Sequence, residues 1–194
     1  MPDRPDFEAM DKQFVLEDEK FKEFVREHNK FTIDRLKEEP TEGLHPELVV
    51  MTKDMDLKDE IAVVVIASGF NESEEKHKTL FGVGRKFYED QKVVRAVVLA
   101  SECWCSQRPQ EGDWPDVQPR HDPLKTEGII VAGAGMEPRQ RMSIVTPVKR
   151  DEKNNIVIDG ESDEHDEAMF FLIDHFWRGY FSKVMEKEAN KKKS

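Results

Sequence analysis

Glu102, Cys103, Trp104 and Cys105 follow one another at the end of an apolar run, Val93 to Ala100, that only Arg95 interrupts. No other stretch crowds so many chemically versatile side chains together. The two-residue repeat of a strand puts Val94, Ala96, Val98, Ala100, Glu102 and Trp104 on one face, and Val93, Val97, Leu99, Ser101, Cys103 and Cys105 on the other. Glu102 thus continues an apolar face, where a carboxylate takes a partner or is pushed toward its neutral form. With its pKa raised it can serve as a general acid or base, or anchor a ligand. Cys103 is a candidate nucleophile with His121 as its base. Trp104 and Trp114 offer stacking surfaces, and Arg120 and Glu127 offer a charge of each sign to a bound molecule.

Each of these has a plainer counterpart. Glu102 can be a salt-bridged residue at the rim of a sheet. Small cysteines are common packing residues. Cys103, Cys105 and His121 could share a zinc ion, but the C-x-x-C knuckle and the second pair such sites use are missing, so no metal or other cofactor is expected. Across a strand, Cys103 and Cys105 stand roughly 6.5–7 Å apart, too far for an unstrained bridge, so both thiols are expected free. His77 and His175 fall near helix faces as boundary residues. Asp163, His165 and Asp166 belong to the acidic run ESDEHDE, which is expected to open a helix and favour its dipole.

The run 92–106 must be a strand covered on both faces, and the rest of the chain supplies the cover. Residues 17–38 carry Phe21, Phe24, Val25, His28, Phe31 or Thr32, and Leu36 at helical spacing, and Pro40 ends that helix. Glu47 to Thr52 and Glu60 to Ser68 form a hairpin, the second strand being central because it is apolar on both faces. Asn71 with Glu74 caps a helix to Asp90, buried through His77, Leu80, Phe81, Gly84, Phe87 and Tyr88, with Gly84 approaching the sheet closely. Gln107 to Leu124, with four prolines, is a long connection of the kind that carries function or stays disordered. Thr126 to Ala132 is a strand, Gly133-Ala134-Gly135 a turn, and Arg141 to Lys149 an edge or bulged strand because of Pro147. Ile156 to Ile158 returns. The last helix starts at or near Asp163 and runs to about Lys187, with Met169, Phe170, Ile173, Phe176, Trp177, Tyr180, Phe181 and Val184 as its stripe. The sum is an α+β fold: a mostly antiparallel sheet of five or six strands packed by three helices. Residues 1–40 form a polar segment and amphipathic helix, 41–187 a single α+β domain, and 188–194 a polar basic tail.

Bulk properties narrow the function. Net charge is −11, and clustered lysine and arginine occur only in the tail Lys191-Lys192-Lys193, which argues against nucleic acid. No apolar run reaches the 18 residues of a membrane helix, and MPDRPDFEAMDKQF lacks a signal core, so a cytoplasmic protein is expected.

Ser101-Glu102-Cys103-Trp104 after an apolar strand, a proline-rich loop with Pro119-Arg120 and Pro123, and Glu127 opening the next strand resemble a pattern in small α+β proteins of prokaryotes and phages. The resemblance spans roughly residues 47–159. It implies a fold and no activity. The residues themselves point to a non-catalytic binding or assembly protein, expected to be a homodimer through residues 17–38. The alternative is a small hydrolase, thiol- or metal-assisted, sited at the end of the strand 92–106 and the loop 107–124.

Overall fold

The structure, a computed structural model, describes residues 15–53, 59–66, 73–90, 92–106, 122, 125–137, 139–166 and 171–191. In chain order these form α1 (Asp18–Glu38), β1 (Glu47–Lys53), β2 (Asp59–Val65), α2 (Ser73–Glu89), β3 (Val93–Ser106), β4 (Lys125–Gly135), β5 (Arg141–Arg150), β6 (Ile156–Ile158), β7 (Asp163–His165) and α3 (Phe171–Lys191). The fold is α+β, with one antiparallel sheet in the order β2-β1-β3-β4-β5-β6 and β7 beside β5. The sheet has seven strands, one more than the upper expectation. The N-cap proposed at Asn71 and the apolar positions Met169 and Phe170 lie outside the described residues.

β3 is central, and its alternation divides the core. Ala96, Val98 and Ala100 face α1 together with Val49, Val131 and Ile144. Val97 and Leu99 face α2 and α3 together with Leu48, Val50, Phe176 and Trp177. The alternation slips once. Met51 pairs with Ala96 but Thr52 pairs with Val94, so Arg95 is the extra residue of a bulge. Val94 therefore joins the α2–α3 side and does not share a face with Ala96, as strict alternation required. The bulge leaves Arg95 buried, its guanidinium paired with Asp59.

α1 carries acidic residues in its first turn and basic ones in its last, matching its dipole. Phe21, Phe24, Val25 and Leu36 are sealed against the chain's own sheet. The stripe expected to meet a second chain is thus spent internally, and Thr32, not Phe31, continues it. Gly133 and Gly135 belong to β4 and not to a turn. A Cβ on Gly133 would lie 2.3 Å from Val25 Cγ2, so the glycine lets α1 settle onto the strand.

Two further expectations are corrected and a third is refined. β2 is the edge strand and not a central one: Ala62 and Val64 turn toward the α2–α3 layer, while Ile61, Val63 and Val65 on the other face are exposed. ESDEHDE does not open the last helix. Asp163–His165 is strand β7, paired with Ser143 to Val145, and its acids reach sideways to α1, Glu164 to Arg26 and Asp166 to Lys22. Pro147 sits in no bulge, and β5 is not the outermost strand, but the position itself is a local edge. It falls in the gap between the stretches of β5 that pair with β6 and with β7, where its missing N–H interrupts no ladder.

Gly84 does make a close approach, but to α3 and not to the sheet. A Cβ there would stand 2.0 Å from the Phe176 carbonyl oxygen, and one on Gly179 would stand 1.9 Å from that of Phe81. The two helix backbones touch through this reciprocal glycine pair. Gly82, one position from the contact, faces open space. Gly84→Ala is therefore expected to destabilise the protein by about 1–3 kcal/mol, because a methyl group forces the helices apart. Gly82→Ala should stabilise it by up to about 1 kcal/mol through helix propensity alone. Urea unfolding midpoints moving in opposite directions check both.

Candidate functional site

Beyond Ala100, β3 outruns β1 and pairs with β4 alone, from Ser101↔Ile130 to Ser106↔Lys125. This overhang carries the residues singled out above. On the α1 side, Glu102 lies next to Trp104, and Glu127 of β4 pairs directly with Trp104. Arg150, at the end of β5, binds them together. Its Nη2 donates to Glu102 Oε2 at 2.7 Å and to Glu127 Oε1, and its Nε donates to both Glu127 oxygens at 3.0 and 3.1 Å. Its Nη1 donates to the carbonyls of Glu42 and Asn154. The second Glu102 oxygen accepts the Leu44 N–H at 2.6 Å. The hydrogen bond to Glu127 is the main reason the Arg150 guanidinium is held above its usual pKa.

Glu102 has therefore found its partners, and both its oxygens are engaged. The network ties β3, β4, β5 and the α1–β1 connection at one point. Trp104 beside it is 46% exposed, with the Lys125 ammonium 4.6 Å from its ring centre.

Cys103 and Cys105 project from the opposite face, so the strand separates Glu102 from Cys103. Their sulfurs lie 3.5 Å apart in a hydrogen bond, closer than strand spacing alone suggested, because the side chains lean toward each other. Both are free thiols. The Cys105 thiol is drawn down to about 7 by the hydrogen bond from Cys103, against the effect of burial. The Cys103 thiol is pushed up by the same hydrogen bond and by burial. Trp114, Arg120 and His121 lie outside the described residues. The structure thus brings Glu102, Trp104 and Glu127 together and leaves Cys103 apart from them. Among the described residues no cluster of three or more His, Cys, Asp or Glu side chains could hold a metal ion.

A second polar centre was not anticipated. Glu47, buried at the start of β1, receives Arg35 Nη1 on Oε2 at 3.0 Å and has His28 Nε2 3.8 Å from Oε1. Next to it opens a cavity of about 240 Å³ lined by Arg35, Leu36, Leu44, His45, Glu47 and Val65, among others. Thr32 lies buried in the same stripe, its hydroxyl without a hydrogen-bond partner among the described residues. The available signal was polar: His28, Thr32 and Arg35 interrupt an otherwise apolar helix stripe at positions i, i+4 and i+7.

No family model matches the chain, and no curated protein or solved structure matches it either.

Two outcomes test these clusters. Arg150→Met strands two half-buried carboxylates and should cost about 1–3 kcal/mol, less than the full cost of breaking a buried pair because the rim admits water. Arg150→Lys should recover little of it, since an ammonium cannot make the forked contacts; equilibrium unfolding of both variants reads this. Burial holds the His28 imidazole below its ordinary value of 6.5, the Glu47 carboxylate only partly opposing it. The unfolded chain therefore takes up the proton more readily than the fold. Stability is fully present above that value and falls as pH drops below it. His28→Leu should flatten the loss between about pH 7 and 5, measured against the parent, because His175, also lowered by burial and by His77, adds a slope of the same sign.

Proposed function

We propose that this protein is a non-catalytic, cytoplasmic assembly module that pairs with a second copy of itself through strand β2. One observation carries the reading: β2 is an edge strand whose Ile61, Val63 and Val65 are exposed at 61, 56 and 56% on a single face. α1 lies over β3 to β6 and leaves this corner of the sheet uncovered. Among the described residues no strand pairs with the outer side of β2. Long apolar edges of this kind are usually blunted by proline, a bulge or charge, and β2 has no proline or bulge. Its only charges, Asp59 and Glu60, are already paired with Arg95 and Lys92 of the same chain.

The edge suits its own copy. Ile66 N–H donates to the Pro46 carbonyl, on the β1 side. Alternation then directs the backbone groups of Ile61, Val63 and Val65 outward. An antiparallel pairing with Val63 on the two-fold axis sets Ile61 opposite Val65 of the other copy and completes an apolar strip across both. Phe31 of α1 is also exposed, at 56%. Net charge −11 supports the absence of nucleic-acid binding. No helix among the described residues is long and apolar enough to cross a membrane.

Sedimentation equilibrium tests the reading. The parent should be a dimer at high micromolar concentration. Val63→Lys places two ammonium groups face to face and removes about 1.5–3 kcal/mol of valine burial from each copy. It should raise the dissociation constant on the order of 100-fold or more while leaving the melting temperature of dilute protein unchanged. A parent that sediments as a monomer at that concentration overturns the reading.

A further inference from the structure

On the other face of the sheet from the network at Arg150, two thiols stand in contact with no assigned work. We infer that Cys103 and Cys105 form a two-electron dithiol site that exchanges with small-molecule disulfides of the glutathione class. The geometry carries this. Both side chains leave the same face of β3, two residues apart, with their sulfurs 3.5 Å from each other. Both are half-buried near the end of a strand and so reachable by a small reagent. The opposite strand is small where they sit: Cys103 pairs with Gly128, whose Cβ, if present, would lie 3.5 Å from Cys103 Sγ.

The two thiols have different roles. Cys105 lies nearer the end of the strand, and a hydrogen bond from Cys103 draws its thiol down, so it supplies the attacking thiolate. Its sulfur attacks one sulfur of the disulfide RS–SR, forming Cys105–S–SR and releasing RS⁻. Cys103 is a poor nucleophile at first, chiefly because its hydrogen bond to Cys105 holds its proton. Capping Cys105 removes that thiolate, and Cys103 can then lose its proton to water. The Cys103 thiolate attacks Cys105 Sγ and expels the second RS⁻. The balance is one RS–SR and two protein thiols giving a Cys103–Cys105 disulfide and two RSH. The dithiol is oxidised by two electrons and the small disulfide is reduced by two.

Closing the bridge must bring the sulfurs to about 2.05 Å across Cα atoms near the upper limit of disulfide spacing. The product is therefore strained and easily reduced, as labile regulatory disulfides are and structural ones are not. This separates it from a permanent cross-link and suits a site that reports the oxidation state of its surroundings.

The test uses the full chain, folded, with oxidised glutathione in excess, followed by alkylation of remaining thiols and intact mass measurement. The parent should lose both alkylatable thiols and two hydrogens in mass, and regain both on addition of reduced glutathione. Cys103→Ser should stop as a stable single glutathione adduct on Cys105. Cys105→Ser should react at least tenfold more slowly than the parent. Cys103→Ala and Cys105→Ala serve the same comparison if a serine variant fails to fold, and circular dichroism checks each. Two alkylatable thiols persisting in the parent under excess oxidised glutathione would overturn the inference. So would a mixed disulfide that accumulates in the parent without closing, or a Cys105→Ser variant as reactive as the parent.

Discussion

Residues 96–100 of β3 are closed to water on both faces, every one of them at 0% exposure. Buried backbone groups need partners, so the strand must be flanked along this whole length, by β1 on one side and β4 on the other. Apolar side chains on both faces then require two separate layers of cover. α1 provides one alone, and α2 and α3 provide the other as a pair. The layers are unequal in width. A single helix cannot span six strands, and α1 sits toward the β3–β6 side, which is why the same face lies bare at β2.

The strand's overhang beyond Ala100 follows different rules. With β1 no longer alongside, its backbone pairs with β4 only, and its side chains stand at the rim. One face is held by a single guanidinium that gathers two carboxylates and two carbonyls. The other carries the thiol pair. A strand is thin, and it turns neighbours in sequence such as Glu102 and Cys103 to opposite faces, so they share no contacts even though the Glu102 charge is still felt at the Cys103 thiol.

Much of the fold was legible because it rests on local periodicity. α1, β1, β3 and the antiparallel sheet follow from the spacing of Phe21, Phe24 and Val25 and from the run at Val93. What was not legible depends on distant partners. DEIAVVV reads as buried because composition does not say whether a neighbour will arrive; α1 covers Val49 and leaves Val63 bare. ESDEHDE has the composition of a helix start, yet Ser143 to Val145 of β5 take Asp163–His165 as a strand, and Arg26 and Lys22, more than a hundred residues earlier, pair with Glu164 and Asp166. Gly133 looks like a turn glycine, and only the position of Val25 shows that it makes room. At the site, the choice between a partnered and a perturbed Glu102 turned on Arg150, 48 residues away. The approach of the Cys103 and Cys105 sulfurs turned on side-chain lean, which strand spacing leaves open.

The two margins of the sheet are built unlike each other. β2 presents seven consecutive residues in unbroken register with β1. The opposite margin consists of β6 and β7, three residues each, separated by the Pro147 gap and braced there by Thr146 and Ser162. Such short, offset segments offer no continuous template to an incoming strand. The sheet therefore has one margin with a continuous backbone edge and one without. The pairing proposed through β2 would accordingly join a chain once along its hydrogen-bonding direction and no further, a closed pair where a sheet with two smooth margins would polymerise into a fibre.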